Sequence, residues 1–205
     1  MKSKATALLC LTTLCFICTN LFAQITLPQG FDTVLAGSET TSLYFYSEPG
    51  DFIGQGQEVF LTPLDGVFSI FGNFDNGVGV RTPGLSSGFG ADFTAPFDAT
   101  LTTGLFANAT RFPFQAASVP GLNFSGDGRG SNTLTGQFEI LEIGFDAVGS
   151  PTTIDAIFEQ HSEGGDPALF GRIRVNASPV PEPSGLVGFT CLALLQMRRR
   201  RTMSV

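Results

Sequence analysis

Apolar and polar residues alternate along three consecutive stretches in the last part of the chain. In the middle stretch, Ile154, Ala156 and Phe158 alternate with the polar residues Asp155 and Glu159. A period of two puts successive side chains on opposite faces of a β-strand, so each stretch directs one apolar row inward. Turns that contain Gly and Pro separate the stretches, which are residues 137–145, 153–160 and 169–176. The pattern predicts a three-stranded antiparallel meander.

Shorter apolar runs earlier in the chain predict further strands. Turn residues close each run, and the runs are residues 43–46, 58–61 and 67–74. The sequence Asp75-Asn76-Gly77 predicts a hairpin turn, because Asn and Gly tolerate a positive φ, and Val78 then begins the return strand. The part of the chain between the two terminal segments has no sustained helical period. We therefore predict an all-β fold, an antiparallel β-sandwich.

The first 23 residues have the layout of a cleavable secretory signal peptide. Lys2 and Lys4 make the start basic, residues 5–22 are largely apolar, and Ala23 provides a small residue before the cut. A buried or membrane-spanning helix is the alternative, but the apolar run is short and a turn-rich domain follows it. We expect the secretion machinery to export the chain from residue 24 onward.

The other end of the chain, residues 179–201, has three parts. A Pro-rich spacer comes first, and its alternate prolines keep it extended. Residues 185–197 are apolar and predict a helix of about 20 Å, which is short of a bilayer core of about 30 Å. An arginine cluster then keeps the end of the chain on the cytoplasmic side of a membrane. The spacer motif is Val180, Pro181, Glu182, Pro183 and Ser184, and the cluster is Arg198, Arg199, Arg200 and Arg201.

This three-part segment resembles the PEP-CTERM sorting signal of exported bacterial proteins, which is also described as an ice-binding-protein C-terminal domain. The resemblance implies that a membrane transpeptidase of the exosortase type recognises the motif, removes the helix and sorts the protein to the envelope or the outside. Such systems typically accompany exopolysaccharide production. An ordinary hydrophobic tail is the alternative. We divide the chain into a signal peptide at 1–23, a β-sandwich domain at 24–178 and a sorting segment at 179–201, whose short hydrophobic helix anchors the protein in the membrane at least transiently.

Charge is sparse and unevenly placed along the chain. Charged residues make up 14% of the sequence, and 25 Gly and 21 Phe fit a turn-rich domain with an aromatic core rather than a disordered chain. Residues 24–179 contain five Arg, no Lys and 17 acidic residues, a balance of 5 minus 17, or −12. Because binding to a phosphate backbone requires clustered cations, the sequence argues against nucleic acid as a partner.

Cysteine is confined to the two terminal segments. Cys10, Cys15 and Cys18 lie in the signal peptide and Cys191 lies in the tail. The exported domain is therefore predicted to have no disulfide, although its route passes through compartments where disulfides form. Packing has to stabilise the domain, and the absence of Trp leaves most of that packing to Phe.

The domain resembles an uncharacterised family of secreted, β-rich bacterial modules over residues 41–176. The motifs that carry the resemblance are Leu43-Tyr44-Phe45, Pro49-Gly50-Asp51-Phe52-Ile53-Gly54, Ala109-Thr110-Arg111-Phe112-Pro113-Phe114-Gln115, Gly126-Asp127-Gly128-Arg129-Gly130, Phe158-Glu159-Gln160-His161 and Ala168-Leu169-Phe170-Gly171. Where those modules have Cys, this chain has Ser131 and Ser162, so the disulfide that the family implies is absent. The resemblance implies no activity for any residue.

One short segment concentrates residues with acid–base or metal-binding chemistry. Glu159, His161 and Glu163 lie within five positions, and His161 is the single histidine of the chain. A metal or acid–base site is one interpretation, because His titrates near neutrality and carboxylates bind hard cations. One His without a second His or Cys is poor for zinc, and alternation places Glu159 and His161 on the face opposite Gln160. The structural interpretation is a strand end followed by a turn.

A second polar loop contains Asp127 and Arg129. Calcium binding through Asp127 is one interpretation, but the loop lacks the acid-at-every-second-residue spacing of a calcium loop. We expect Arg129 to form a structural ion pair with a carboxylate such as Glu163 or Asp127, with ligand binding as the alternative. Tyr44 and Tyr46 share a strand face, where they form either a sugar platform or a cover for the sheet.

No catalytic residue, metal site or cofactor is predicted. Gly84-Leu85-Ser86-Ser87-Gly88 has the Gly-x-Ser-x-Gly spacing, but no helical pattern follows it, as the elbow of a serine hydrolase requires, and the chain has no second His. The sequence favours an exported, non-catalytic structural or adhesive protein of the cell envelope or extracellular matrix, associated with exopolysaccharide. A secreted glycan- or calcium-binding module that uses the loops near Asp127 and Glu163 is the alternative, and a hydrolase centred on His161 is the third interpretation.

Overall fold

The computed structural model describes residues 25, 27–28 and 39–180. The predicted signal peptide and the sorting segment beyond residue 180 lie outside the described residues. The described part contains ten strands: β1 (Ser42–Ser47), β2 (Glu58–Leu61), β3 (Ser69–Gly72), β4 (Val78–Thr82), β5 (Phe89–Thr94), β6 (Gly104–Arg111), β7 (Gly121–Gly126), β8 (Leu134–Phe145), β9 (Pro151–Ser162) and β10 (Ala168–Val175). A 3₁₀ turn at Pro96–Asp98 follows β5. No helix within the described residues has the length and apolar character needed to cross a membrane.

The ten strands form one hydrogen-bonded sheet in the order β2-β1-β10-β9-β8-β6-β7-β5-β4-β3. Neighbouring strands are antiparallel except β6 and β7, which are parallel. The predicted meander is confirmed, because β8 pairs with β9 and β9 pairs with β10 in antiparallel register. The predicted hairpin is also confirmed, since β3 pairs with β4 and Asn76 has a φ of 54° in the turn between them. The described chain is therefore all-β, with a mixed sheet.

The sheet curls so that its two halves bury one shared core. Phe45 on β1 contacts Phe89 on β5 and Phe124 on β7, with ring centroids 5.1 and 5.5 Å apart, although these strands are far apart in the sheet order. Phe158 on β9 also contacts Phe124, at 5.0 Å. Each aromatic pair contributes about 1 kcal/mol beyond the area it buries. Phenylalanine thus supplies much of the packing between the two halves.

A buried ionic cluster connects the segment before β1 with the segment after β10. Asp155 on β9 accepts two hydrogen bonds from Arg172, at 2.8 and 2.7 Å, and one from Arg174 at 3.2 Å. Arg174 is 2% exposed and also donates to the carbonyl oxygens of Glu39 and Ser178. These two carbonyls precede β1 and follow β10. The cluster therefore fixes both points at which the chain enters and leaves the sheet.

Candidate functional site

Glu159 and His161 lie on the same face of β9, as the alternation predicted. The Nε2 atom of His161 lies 3.0 Å from Oε1 of Glu159, and its Nδ1 atom lies 2.8 Å from the carbonyl oxygen of Asp166. The other carboxylate oxygen of Glu159 accepts a hydrogen bond of 2.7 Å from the amide of Gln137 on β8. Both ring nitrogens thus have a partner. This carboxylate–imidazole–amide chain fixes the orientation of Glu159.

Gln160 points to the opposite face of β9 and has a structural role. Its amide Nε2 donates to the carbonyl oxygen of Phe124 at 2.9 Å, and its Oε1 accepts from the N–H of Phe124 at 2.8 Å. Gln160 is completely buried. The side chain therefore supplies to β7 the pair of hydrogen bonds that a neighbouring strand would otherwise supply.

A groove of about 440 Å³ opens beside Glu159. It forms where β6 pairs with β8 through a bulge between Phe106 and Ala109, which places one more residue on β6 than on β8. Asn108 lies in this bulge with a φ of 56°, a conformation that Asn adopts more readily than most residues. The residues that line the groove are Ala107, Asn108, Ala109, Thr110, Thr135, Gly136, Gln137 and Glu159.

The lining of the groove mixes hydrogen-bonding groups with small apolar side chains. The lining residues carry two side-chain amides, two hydroxyl groups and the Glu159 carboxylate, and Ala107 is the exposed alanine among them, since Ala109 is buried in the core. Glu159 is the single charged residue of this lining, and its side chain is 21% exposed. Among the described residues there is no cluster of three or more His, Cys, Asp and Glu side chains that would hold a metal ion. The groove is therefore suited to a polar organic ligand held by hydrogen bonds.

Asp127 binds a loop of its own domain. Its carboxylate accepts hydrogen bonds from the backbone N–H groups of Leu85, Ser86 and Ser87, at 3.2, 2.9 and 2.9 Å. Burial by itself raises the pKa of Asp127, but the hydrogen bonds from Ser87, Ser86 and Leu85 outweigh it and hold the pKa below its ordinary value. The carboxylate thus fixes the loop between β4 and β5.

We expect the Asp127→Asn variant to be less stable than the native protein at neutral pH, by about 1 kcal/mol after allowance for solvent screening. A lowered native pKa stabilises the folded state above the unfolded pKa of about 3.9 and ceases to do so as the pH falls through the native value. The difference in melting temperature between the two proteins should therefore shrink below about pH 4. A difference that stays constant from neutral to acidic pH would contradict this role for the carboxylate.

The ion pairs predicted for Arg129 are wrong in their partners. Arg129 has a structural role, but its Nε donates to the carbonyl oxygen of Ile53 at 2.7 Å and its Nη1 to that of Asp127 at 3.4 Å. The Glu163 carboxylate accepts from the backbone N–H of Asn132 instead. Both charged side chains thus form hydrogen bonds with backbone groups of nearby turns rather than with each other. The two loops near Asp127 and Glu163 are held together by hydrogen bonds within the domain.

Tyr44 and Tyr46 share the outer face of β1, as predicted, but Tyr44 is buried. Leu27, Tyr46 and Phe170 pack against it. Its hydroxyl donates a hydrogen bond of 2.8 Å to Glu58. Burial, followed by this hydrogen bond, raises the pKa of Tyr44 well above its ordinary value. Tyr44 is therefore covered by Leu27 and Phe170 rather than open as part of a sugar platform.

Ser131 and Ser162 are neighbours in the structure. Their hydroxyl oxygens lie 2.9 Å apart in a hydrogen bond, and both residues are buried. These are the two positions at which the resemblance implies cysteines. The geometry brings together two side chains that are 31 positions apart in the sequence, from 131 to 162.

Sequence reasoning identified Glu159 and His161 but not the other residues of the groove. Gln137 and Asn108 carry uncharged amides without acid–base or metal-binding chemistry, so their residue types alone do not mark them as site residues. The one available signal is the small, polar character of residues 107–110, which is unusual inside a strand. Comparison of the chain with protein-family models, curated proteins and solved structures gave no match. The case for a site therefore rests on its geometry.

Proposed function

We propose that the protein is an exported, non-catalytic component of the cell envelope or extracellular matrix that adheres to polysaccharide through the groove beside Glu159. The observation that carries the proposal is the groove itself. Its amides, hydroxyl groups and carboxylate match the donors and acceptors of sugar hydroxyl groups, and the exposed Ala107 suits the apolar face of a sugar ring. The curled sheet serves as a scaffold, and we propose that its two halves act as the two layers of a sandwich.

The geometry around His161 supports a non-catalytic role. Nδ1 and Nε2 face the carbonyl oxygen of Asp166 and the carboxylate of Glu159, so neither nitrogen is paired with the hydroxyl group of a nucleophile. The hydroxyl groups that line the groove belong to Thr110 and Thr135, and the hydrogen bonds of His161 go to Asp166 and Glu159 instead. Glu159 and His161 thus act as a fixed polar surface for a ligand.

The proposal includes sorting by an exosortase-type transpeptidase through residues 179–201. This part of the proposal is supported by the position of Ser178, which hydrogen bonds fix at the end of the domain. Ser178 donates through its backbone N–H and its hydroxyl to Glu142, at 2.8 and 2.9 Å, while Arg174 holds its carbonyl oxygen. The spacer motif begins two residues later, at Val180. Cleavage beyond residue 180 would therefore leave Ser178 and these contacts in the released domain.

The mass of the C-terminal peptide in the native host tests the sorting part of this proposal. Membrane, envelope and culture fractions would be separated and the mature protein isolated from each. We expect chains that end near residues 180–184, outside the membrane fraction. An intact C-terminal peptide that includes Arg198–Arg201, found only in membranes, would make the tail a plain anchor.

Co-sedimentation of the mature protein with a panel of insoluble or immobilised polysaccharides tests the adhesive part. We expect binding to at least one polysaccharide, and we expect a calcium chelator to leave that binding unchanged, because the groove holds a ligand by hydrogen bonds. Binding that requires calcium would favour a calcium-dependent module instead. Failure to bind every polysaccharide of the panel would overturn the adhesive proposal.

A further inference from the structure

We infer that the groove is specific for neutral hexose polymers, that it excludes polymers of uronic acids, and that Glu159 is the residue that determines this choice. This inference rests on the proposed function, because it names the ligand class of the same groove. Glu159 accepts hydrogen bonds from sugar hydroxyl groups, and Asn108, Thr110 and Thr135 supply the flanking contacts.

The charge around the groove argues against an anionic ligand. No Arg or Lys lines the groove, and its one charged side chain is a carboxylate. The surrounding chain from 24 to 179 carries a balance of −12. The nearest arginine in sequence, Arg111, donates to the carbonyl oxygen of Asn132 at 3.1 Å and lies over the ring of Phe114. A uronate carboxylate placed in the groove would therefore meet a like charge without a cation to offset it.

The ring nitrogens of His161 both have partners within the protein. Nδ1 faces the carbonyl oxygen of Asp166 and Nε2 faces the carboxylate of Glu159. A ligand in the groove is therefore bound by Glu159 and the uncharged polar groups of the lining rather than by His161.

The Glu159 carboxylate keeps the capacity to accept further hydrogen bonds. A carboxylate has about four acceptor positions, and the contacts from Gln137 and His161 occupy one on each oxygen. The remaining position on each oxygen can accept from one of two adjacent sugar hydroxyl groups. Because Gln137 and His161 hold the carboxylate in place, binding does not have to order it.

The bulge on β6 provides the opposite wall of the groove. Asn108 is exposed and lies at the extra residue of the bulge, and Thr110 pairs with Thr135 across β6 and β8. Bulges redirect side chains at binding sites, and here an amide and two hydroxyl groups line the groove together with Glu159. The ligand is thus flanked on both strands by uncharged donors and acceptors.

The test compares a neutral β-glucan with polygalacturonate of matched chain length, each titrated into the mature protein and followed calorimetrically. We expect the glucan to bind and the polygalacturonate to bind at least about tenfold more weakly. In Glu159→Gln, which keeps the shape of the side chain, we expect glucan affinity to fall by about tenfold or more, since hydrogen bonds to a charged acceptor are lost. Asp98→Asn removes one exposed carboxylate outside the groove and should leave both affinities unchanged.

A second variant separates loss of recognition from loss of folding. Asn108→Gly removes the amide while it tolerates the positive φ of the bulge, and it leaves the contacts of Glu159 in place. We expect weaker glucan binding with an unchanged melting temperature. Equal binding of polygalacturonate and glucan, or native glucan affinity in Glu159→Gln, would overturn the inference and leave the adhesive proposal standing. Failure of the whole polysaccharide panel would overturn both.

Discussion

Replacement of Asp155 by alanine is expected to lower the free energy of unfolding by about 3–5 kcal/mol. Asp155 is 5% exposed and is the shared carboxylate of Arg172 and Arg174. Its removal leaves the guanidinium groups of Arg172 and Arg174 without their anion, although their side chains are only 11% and 3% exposed. An unpaired buried charge costs more than the pair contributed, because neither water nor another anion replaces the lost partner.

Thermal and urea unfolding of Asp155→Ala and Asp98→Asn would measure this effect. Asp98 is exposed in the 3₁₀ turn, and its replacement should change stability by less than about 0.5 kcal/mol. Asp155→Asn keeps the shape and one acceptor oxygen, so its stability should lie between those of the native protein and Asp155→Ala. Equal stability of the Asp155→Ala and Asp98→Asn variants would show that the cluster contributes little.

The same cluster connects the stability of the sheet to the proposed sorting of the chain. Arg174 reaches the carbonyl oxygens of Glu39 and Ser178, so the residue that Asp155 neutralises also holds the last part of the domain before the spacer motif. Glu142 holds Ser178 from the other side. Loss of Asp155 would therefore weaken the hydrogen bonds that hold Ser178 as well as the sheet.

The strands that sequence analysis predicted are those in which apolar and polar side chains alternate clearly. In β9 and β10 apolar residues recur at every second position, so local sequence alone indicates the strands and their inward face. In β8 both faces are partly apolar, because a bulge after Ile140 shifts the alternation, so that Ile140 is buried and Leu141 is 41% exposed. The strands β5, β6 and β7 were not predicted. Gly and Ala occupy many of their positions, for example Gly90 and Ala91 in β5, and small residues hide a period of two. Their strand structure depends on partners that are distant in sequence, as the Gln160 bridge to β7 illustrates.

The candidate site divides in the same way. Glu159 and His161 are residue types that attract notice anywhere, and alternation correctly placed them on one face. Gln137 joins them only because β8 pairs with β9 in the register that sets Gln137 opposite Glu159. Asn108 joins them only because β6 contains a bulge, with one more residue than the facing part of β8. Register and bulge are properties of the whole sheet, so no local pattern could have predicted the groove.

Introduction of cysteines at Ser131 and Ser162 is expected to stabilise the protein by about 3–4 kcal/mol once they form a disulfide. The hydroxyl oxygens already lie 2.9 Å apart, so the two side chains point at each other and need little movement to be bridged. A cross-link between positions 131 and 162 restricts the unfolded chain over the loop between them, and a loop of that length accounts for about 3.5 kcal/mol. The expected rise in melting temperature is about 10 °C.

The magnitude of this gain bears on how the native domain is stabilised without a disulfide. The Ser131–Ser162 hydrogen bond contributes about 1 kcal/mol, which is less than a disulfide would contribute at the same place. In the absence of a disulfide, the native domain is stabilised by the packing of Phe45, Phe89 and Phe124 across the curled sheet and by the Asp155 cluster. The double variant should be compared in oxidised and reduced forms, with each single cysteine variant as control. If the oxidised form unfolds at the same temperature as the reduced form, strain in the folded state has offset the restriction of the unfolded chain, and the two side chains do not face each other as the structure has them.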